Sequence, residues 1–279
     1  MKAKSIYGGS SEQIKKALQA AMADQFKPTL AIAFISIKQD RKGICEVLKK
    51  EGIAVFGATS CGEFTESHQS EGESVIMLLE INPDYFTILI EDLKGNDLEA
   101  ISKNLAKNAL KKFKDPGFIL CTNGMSVDNI ILDGDLIIRS IEAVIGPHAN
   151  ITGGMAGDDW MLKSSYIFTH DFETNLGIAA LVFDQEKVSL QGMAISGWKP
   201  IGIKRTITKC EGTYLHTIDD KPALDMYLKY LGASYDDTQD KYDLFENVAQ
   251  HYPFLVERES GAYMMATPMM VDKESKALI

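Results

Sequence analysis

The stretch from Thr29 to Ile37 reads TLAIAFISI, apolar almost throughout and bounded by Pro28 and Lys38. A run of this length, rich in Ile and Phe with no polar face, is a strand buried on both sides. The flanks carry the other period. Upstream, Ser10 with Gln13 three residues on makes a capping box, and Ile14, Ala17, Leu18, Ala21 and Met22 follow at helical spacing. Downstream, Ile44, Val47 and Leu48 mark a second helix, and Ile53 to Ala58 is another short buried strand.

The alternation continues. Ser74 to Ile81 and Tyr85 to Ile90 are strand runs joined by the turn Asn82-Pro83-Asp84. Leu98, Ile101, Leu105, Ala109 and Phe113 form one helical stripe, and Gly117 to Cys121 is a strand. Ile137, Ile141, Val144 and Ile145 form a second stripe that ends near Gly146-Pro147. Strands alternating with helices predict an α/β fold, with helices covering a largely parallel layer in the first half.

The second half reads differently. Ser165 to Phe168, Gly177 to Phe183, Val188 to Ile195 and Lys204 to Cys210 are consecutive strands, and Ile207 to Ile218 is a hairpin around Glu211-Gly212. Short connections predict antiparallel pairing, so the fold class is α/β with mixed sheets. Asp220-Lys221-Pro222 then opens a helix whose buried face is Leu224, Tyr227, Leu228 and Leu231, with Gly232 at its C-terminal cap. Asp236 to Asp240 is a polar loop.

Composition bounds the function. The chain has 279 residues, 45% hydrophobic and 24% charged, enough for one large or two modest domains. The net charge is −10, with Lys and Arg scattered. That excludes a nucleic-acid partner and an anionic membrane surface, both of which need clustered cations. The start MKAKSIYGGSSEQ has no apolar segment of the secretory kind, and no apolar run is long enough to span a membrane. The four cysteines form no C-x-x-C pair or zinc spacing, which predicts reduced thiols in the cytoplasm. The five histidines make no metal motif, so no metal or cofactor is expected.

In open α/β sheets, ligands bind beyond the carboxyl ends of strands. Three stretches there are small and polar: Gly57 to Glu63, Thr122 to Ser126, and Thr152 to Trp160. Within them the candidate ligand-binding residues are Ser60, Cys61, Gly62, Glu63, Asn123, Ser126, Gly153, Gly154 and Asp158. Glycines let a backbone approach a ligand, and successive free N–H groups suit a carboxylate such as that of an amino acid. Glu63 or Asp158 would then hold the ammonium. Each stretch also has a plainer reading, as a simple turn. GGMAGD at Gly153 to Asp158 lacks the dinucleotide spacing and has no clean strand before it, and no Walker lysine occurs. Cys61 is a candidate nucleophile with His68 as its base, but nothing nearby orients His68, and a small ligand-lining thiol is the simpler assignment. No catalytic set is complete. A single axial ligand suffices for haem iron, one of the five histidines (His148 and His216 first, beside their plainer role as surface residues) or Cys61.

The blocks TSCGE (Thr59 to Glu63), GGMAGD (Gly153 to Asp158) and SGWKPIG (Ser196 to Gly202) resemble the FIST sensory domain, in order and spacing. Ile218 to Leu224 and Tyr227 to Gly232 are similar to the junction of its two parts. The resemblance implies a ligand-sensing N-terminal domain over residues 1–217 and a shortened start of the C-terminal domain over 218–279. It implies an intracellular signalling module, not an enzyme. Such a module binds a small molecule such as an amino acid and passes its output to a separate signalling protein. Some members resembling it are haem proteins that sense nitric oxide, which gives one alternative. An enzyme with Cys61 as nucleophile is the other.

Overall fold

A computed structural model describes residues 1–193, 196–235, 243–257, 261 and 263–279. The chain divides into two compact units, Met1–Ala194 and Ile195–Ile279. In the first, strands and helices follow as β1 (Lys2–Gly8), α1 (Ser11–Met22), β2 (Leu30–Ser36), α2 (Arg41–Lys50) and β3 (Ala54–Ser60). Next come β4 (Glu63–Phe64), β5 (Gln69–Ser70), β6 (Ser74–Glu80), β7 (Phe86–Asp92), α3 (Leu98–Lys112) and β8 (Pro116–Asn123). The unit ends with α4 (Gly134–Ile145), β9 (Ile151–Ala156), β10 (Ile167–Phe168), β11 (Glu173–Thr174) and β12 (Gly177–Asp184).

Each of the four helices starts where a short polar side chain accepts an otherwise orphaned amide. Ser10 Oγ accepts from Gln13 N at 3.2 Å, and the Gln13 side chain returns to Gly9 N at 2.8 Å. Asp40, Asp97 and Asp133 accept in the same way from Gly43, Ala100 and Leu136. Each such cap stabilises its helix by about 1 kcal/mol.

The strands form two sheets, in the orders β1-β6-β2-β3-β10-β11 and β7-β12-β8-β9, with a small β4–β5 ladder apart. Among the described residues, parallel pairing is confined to β2–β3 and β8–β9, one pair in each of these sheets. The layer is thus less parallel than strand–helix alternation predicts, because β6 and β12 return along those pairs without a crossover helix and pair antiparallel. The mixed α/β class stands.

Side-chain alternation shows how the layers stack. On β12, Ala179, Leu181 and Phe183 enter a core shared with Leu30, Ile32, Phe56 and Leu79 of the other sheet. The intervening Ile178, Ala180 and Val182 join Ile101, Leu105, Ile137 and Ile141 of α3 and α4. On β2, Ala31, Ala33 and Ile35 face Ile14, Leu18, Ile44 and Leu48 of α1 and α2. The unit is therefore helices, sheet, sheet, helices. Both faces of each central strand are buried, which is why these strands read as continuous apolar runs.

Three local readings change. The Asn82-Pro83-Asp84 turn does not close a hairpin: Asn82 caps a single 3-10 turn, Pro83–Tyr85, that carries the chain from the first sheet to the second. Gly153 and Gly154 are not a turn but lie within β9, held in the sheet by the β8 ladder rather than by side chains. Val188–Met193 is not a strand: Val188 and Leu190 pack on the inter-sheet core, while β12 already has neighbours on both edges. Ala194 and Ile195, the end of that expected strand, lie outside the described residues.

In the second unit, β13 (Ile207–Glu211) and β14 (Tyr214–Ile218) form the expected hairpin. β15 (Lys221–Pro222), α5 (Ala223–Leu231), a single π turn at Phe245–Ala249, β16 (Phe254–Glu257), β17 (Tyr263–Ala266), β18 (Val271–Asp272) and β19 (Ala277–Leu278) follow. Gly232 caps α5 at φ +63°, and Leu224, Tyr227 and Leu228 bury its face beside Val271 and Leu278. The expected polar loop Asp236 to Asp240 lies outside the described residues.

Candidate functional site

The two sheets part at the carboxyl ends of β2, β3 and β9. Between them lies a cavity of about 420 Å³, lined by residues of β2, β3, β8 and β9 and by Cys61 and Gly157 just beyond. Phe34 belongs to the inter-sheet face of β2, since it alternates with Ala33 and Ile35 of the helix side, yet it is 46% exposed. The second sheet does not cover it. Phe56, Ala58, Ile119 and Cys121 make the apolar floor, and Thr59, Ser60 and Cys61 make one rim.

The opposite rim is β9, with Gly153 and Gly154 ahead of Met155 and Ala156. Gly154 pairs in register with Cys121, so both share the inter-sheet face. A Cβ added at Gly154 would meet nothing within 4 Å. Gly154 is itself exposed and lines the cavity where it opens to solvent. Gly153 differs completely: its φ is +149°, and a Cβ there would lie 1.9 Å from the Leu120 carbonyl oxygen. Gly153 therefore lets β9 sit against β8, while Gly154 leaves room beside it. Gly157 closes the corner, where a Cβ would lie 2.4 Å from Cys61 Sγ. There the Gly157 and Asp159 amides donate to the Thr59 and Ser60 carbonyls at 2.9 and 3.0 Å.

Of the nine sequence candidates, Ser60, Cys61, Gly153 and Gly154 come together on this cavity. The remaining five serve the surrounding backbone. Glu63, 2% exposed, accepts from Ser60 Oγ at 2.6 Å and from the Gly72 and Glu73 amides at 3.1 Å each. Asp158 accepts from the Leu162, Lys163 and Ser164 amides, which folds the 158–164 loop onto its own carboxylate. Asn123 Oδ1 accepts from the Gly177 amide at 2.9 Å, and Ser126 Oγ accepts from the Asp128 and Ile130 amides. Gly62 turns the chain at φ +91°. Glu63 and Asp158 are thus already engaged by protein donors.

Sequence reasoning missed Phe34, Phe56, Ile119, Cys121 and Met155 on the lining, and Asp159 beside it. Only Phe34 carried a signal, as the last inward apolar residue of β2. Asp159, Trp160 and Leu162 all adopt left-handed backbone, at φ +54°, +61° and +51°. Such angles in residues other than glycine are uncommon.

The reactive candidates have their own partners. His68 Nε2 lies 2.5 Å from Glu73 Oε2, and its ring stacks on Tyr7 at 3.9 Å. That contact holds the Glu73 carboxyl below the usual range. Cys61 is exposed at the rim, whereas burial pushes the thiols of Cys121 and Cys45 up to about 12. His148 is exposed, and His216 stacks on Tyr214 in the second unit. Among the described residues, no group of three or more His, Cys, Asp or Glu is placed to hold a metal ion. Nor is any helix there long and apolar enough to cross a membrane.

No curated protein matches the chain. The family model of the FIST N domain matches residues 29–221, more than half of the chain and all of the cavity lining. The chain therefore belongs to the FIST family of sensory, signal-transducing domains.

Proposed function

We propose that the inter-sheet cavity is the sensing site and that it takes a small, mostly apolar molecule. The observation that carries this is Gly154: a position on the inner face of a sheet, where a side chain is expected, opens instead onto a cavity of about 420 Å³. Ligand sites of this size are mostly apolar, with few polar groups to orient the occupant. A zwitterionic amino acid needs an acceptor for its ammonium, and both candidate carboxylates are already satisfied by protein donors. The geometry therefore favours a ligand without a strong charge over a free amino acid. The cysteine reading has less support, because His68 is engaged by Glu73 and Tyr7.

Haem has less support. Among its described residues the cavity offers Cys61 as an axial thiolate, but no imidazole and no cation for the propionates. The four free thiols suit a reducing compartment such as the cytoplasm. The output passes to a separate signalling protein. Residues 1–217 are taken as the family's ligand-sensing part and 218–279 as belonging to its C-terminal part.

The experiment is a thermal-shift screen with small apolar molecules on the chain and on Gly154→Leu. A ligand at a hundred times its Kd stabilises the chain by about 2.7 kcal/mol. A gain in the natural chain that vanishes in Gly154→Leu is the expected result. An equal gain in both would move the site elsewhere.

A further inference from the structure

The hydroxyls on the cavity lining, Thr59 and Ser60, are already engaged, and an unsatisfied acceptor lies just outside the lining, on Asp159. The Asp159 side chain is 6% exposed. Its Oδ2 accepts from Ser36 Oγ at 2.6 Å and lies 3.2 Å from Lys38 Nζ. Its Oδ1 is buried with no partner. An unpaired buried acceptor carries its full desolvation cost, so it is a place where a donor is missing.

Its position ties it to the cavity. The Asp159 amide donates to the Ser60 carbonyl, and both Ser60 and the nearby Gly157 line the cavity. Ser36 alternates with Ile35, so it lies on the same face of β2 as Phe34. The carboxylate thus lies beside the lining rather than on it, at the carboxyl ends of the parallel pair β2–β3, where α/β sheets place their ligands. Lys38 already balances its charge, so the missing donor is neutral. A second cation there would leave an uncompensated buried charge.

We propose that Asp159 is the polar anchor of the cavity, its unpartnered oxygen accepting a hydrogen bond from the hydroxyl or amide N–H of an otherwise apolar, uncharged ligand. This rests on the cavity being the sensing site. Because the oxygen is sealed from solvent, the donor reaches it as the loop that carries it gives way. That loop holds the three left-handed residues Asp159, Trp160 and Leu162. Strained backbone of this kind clusters at ligand clamps and switch regions. Ligand binding is then coupled to movement of the Trp160 loop.

The test uses cyclohexanol and cyclohexanone, matched in size, of which only the alcohol donates. Binding is read by NMR titration, and the loop by Trp160 emission in a Trp198→Phe background, which leaves Trp160 the only tryptophan. The alcohol binds tenfold or more tighter than the ketone, the discrimination of a hydrogen bond to a charged acceptor, and it alone shifts Trp160 emission. Asp159→Asn, whose oxygen stays on the Ser36 and Lys38 donors and whose NH2 takes the place of the free oxygen, weakens the alcohol and brings the two affinities within about twofold. Should that variant not fold, Ser36→Ala, which unfixes the carboxylate, lowers the preference for the alcohol. Equal affinities in the natural chain, or a preference that survives Asp159→Asn, overturn the anchor and leave the cavity reading intact. Binding of neither probe, or binding that Gly154→Leu does not weaken, overturns both.

Discussion

On the β3 side of the cavity, the chain beyond Ala58 is Thr59, Ser60 and Cys61, and the serine hydroxyl is fixed by a buried glutamate. On the β9 side the wall runs from Gly153 and Gly154, which carry no side chain, to Met155 and Ala156. The first wall is rigid because its polar groups are satisfied by hydrogen bonds across the loop. The second is held by backbone pairing to β8, and its two glycines differ. Gly153 supplies a conformation and a close approach, and Gly154 supplies emptiness. Two adjacent glycines in one strand thus divide into one that the backbone geometry requires and one that it does not.

The largest break in this comparison is Gly153→Ala. The new methyl would fall 1.9 Å from the Leu120 carbonyl, at a φ of +149° that side chains avoid. Adding the strain of the backbone to that of overpacking gives a loss of about 3 to 5 kcal/mol, read as a lower denaturant midpoint. Gly154→Ala next to it changes stability by no more than about 0.5 kcal/mol, as expected for an addition into open space. Equal losses at the two positions would show that both glycines serve only the fold.

The β3 wall breaks next. Glu63→Gln keeps the shape but replaces an accepting oxygen by a donating NH2 beside Ser60 Oγ or the Gly72 and Glu73 amides. The expected loss is about 2 kcal/mol, with faster hydrogen exchange at the Gly72 and Glu73 amides. An unchanged melting curve would show that the carboxylate does not hold this wall.

The layers and most elements were legible in the sequence, because burial on both faces leaves continuous apolar runs and caps leave Ser or Asp three residues before their amide partner. The division into two sheets was not. The Asn82-Pro83-Asp84 turn has the composition of a hairpin turn whether the strands it joins pair or part. β9 was missed as a strand because ITGGMA has neither alternation nor branched residues beyond its start. Val188 to Ile195 was read as a strand from apolar spacing, although packing on a core needs no ladder. At the site, the glycine-rich stretches pointed to the cavity, but the engagement of Glu63 and Asp158 did not show. Their partners are main-chain amides, which every residue carries. Asp159 was overlooked beside Asp158, since two adjacent carboxylates read alike until the fold gives one a full set of donors and the other an unpartnered oxygen.

A smaller effect, on labelling rather than stability, separates the rim of the cavity from its floor. Cys61 and Cys121 both line it, but Cys61 is exposed, while burial pushes the Cys121 thiol up to about 12. Alkylation needs both access and thiolate. At neutral pH an iodoacetamide pulse therefore modifies Cys61 and the exposed Cys210, and leaves Cys121 and Cys45 unmodified in the folded chain. A molecule seated in the cavity then slows Cys61 without slowing Cys210, which serves as the internal control on the second unit. Slowing of both would mean that the molecule acts on the reagent or on the whole fold. Protection of Cys61 alone, read by mass spectrometry of the peptides, would place the molecule between the two walls and extend the Gly154 argument from empty space to occupied space.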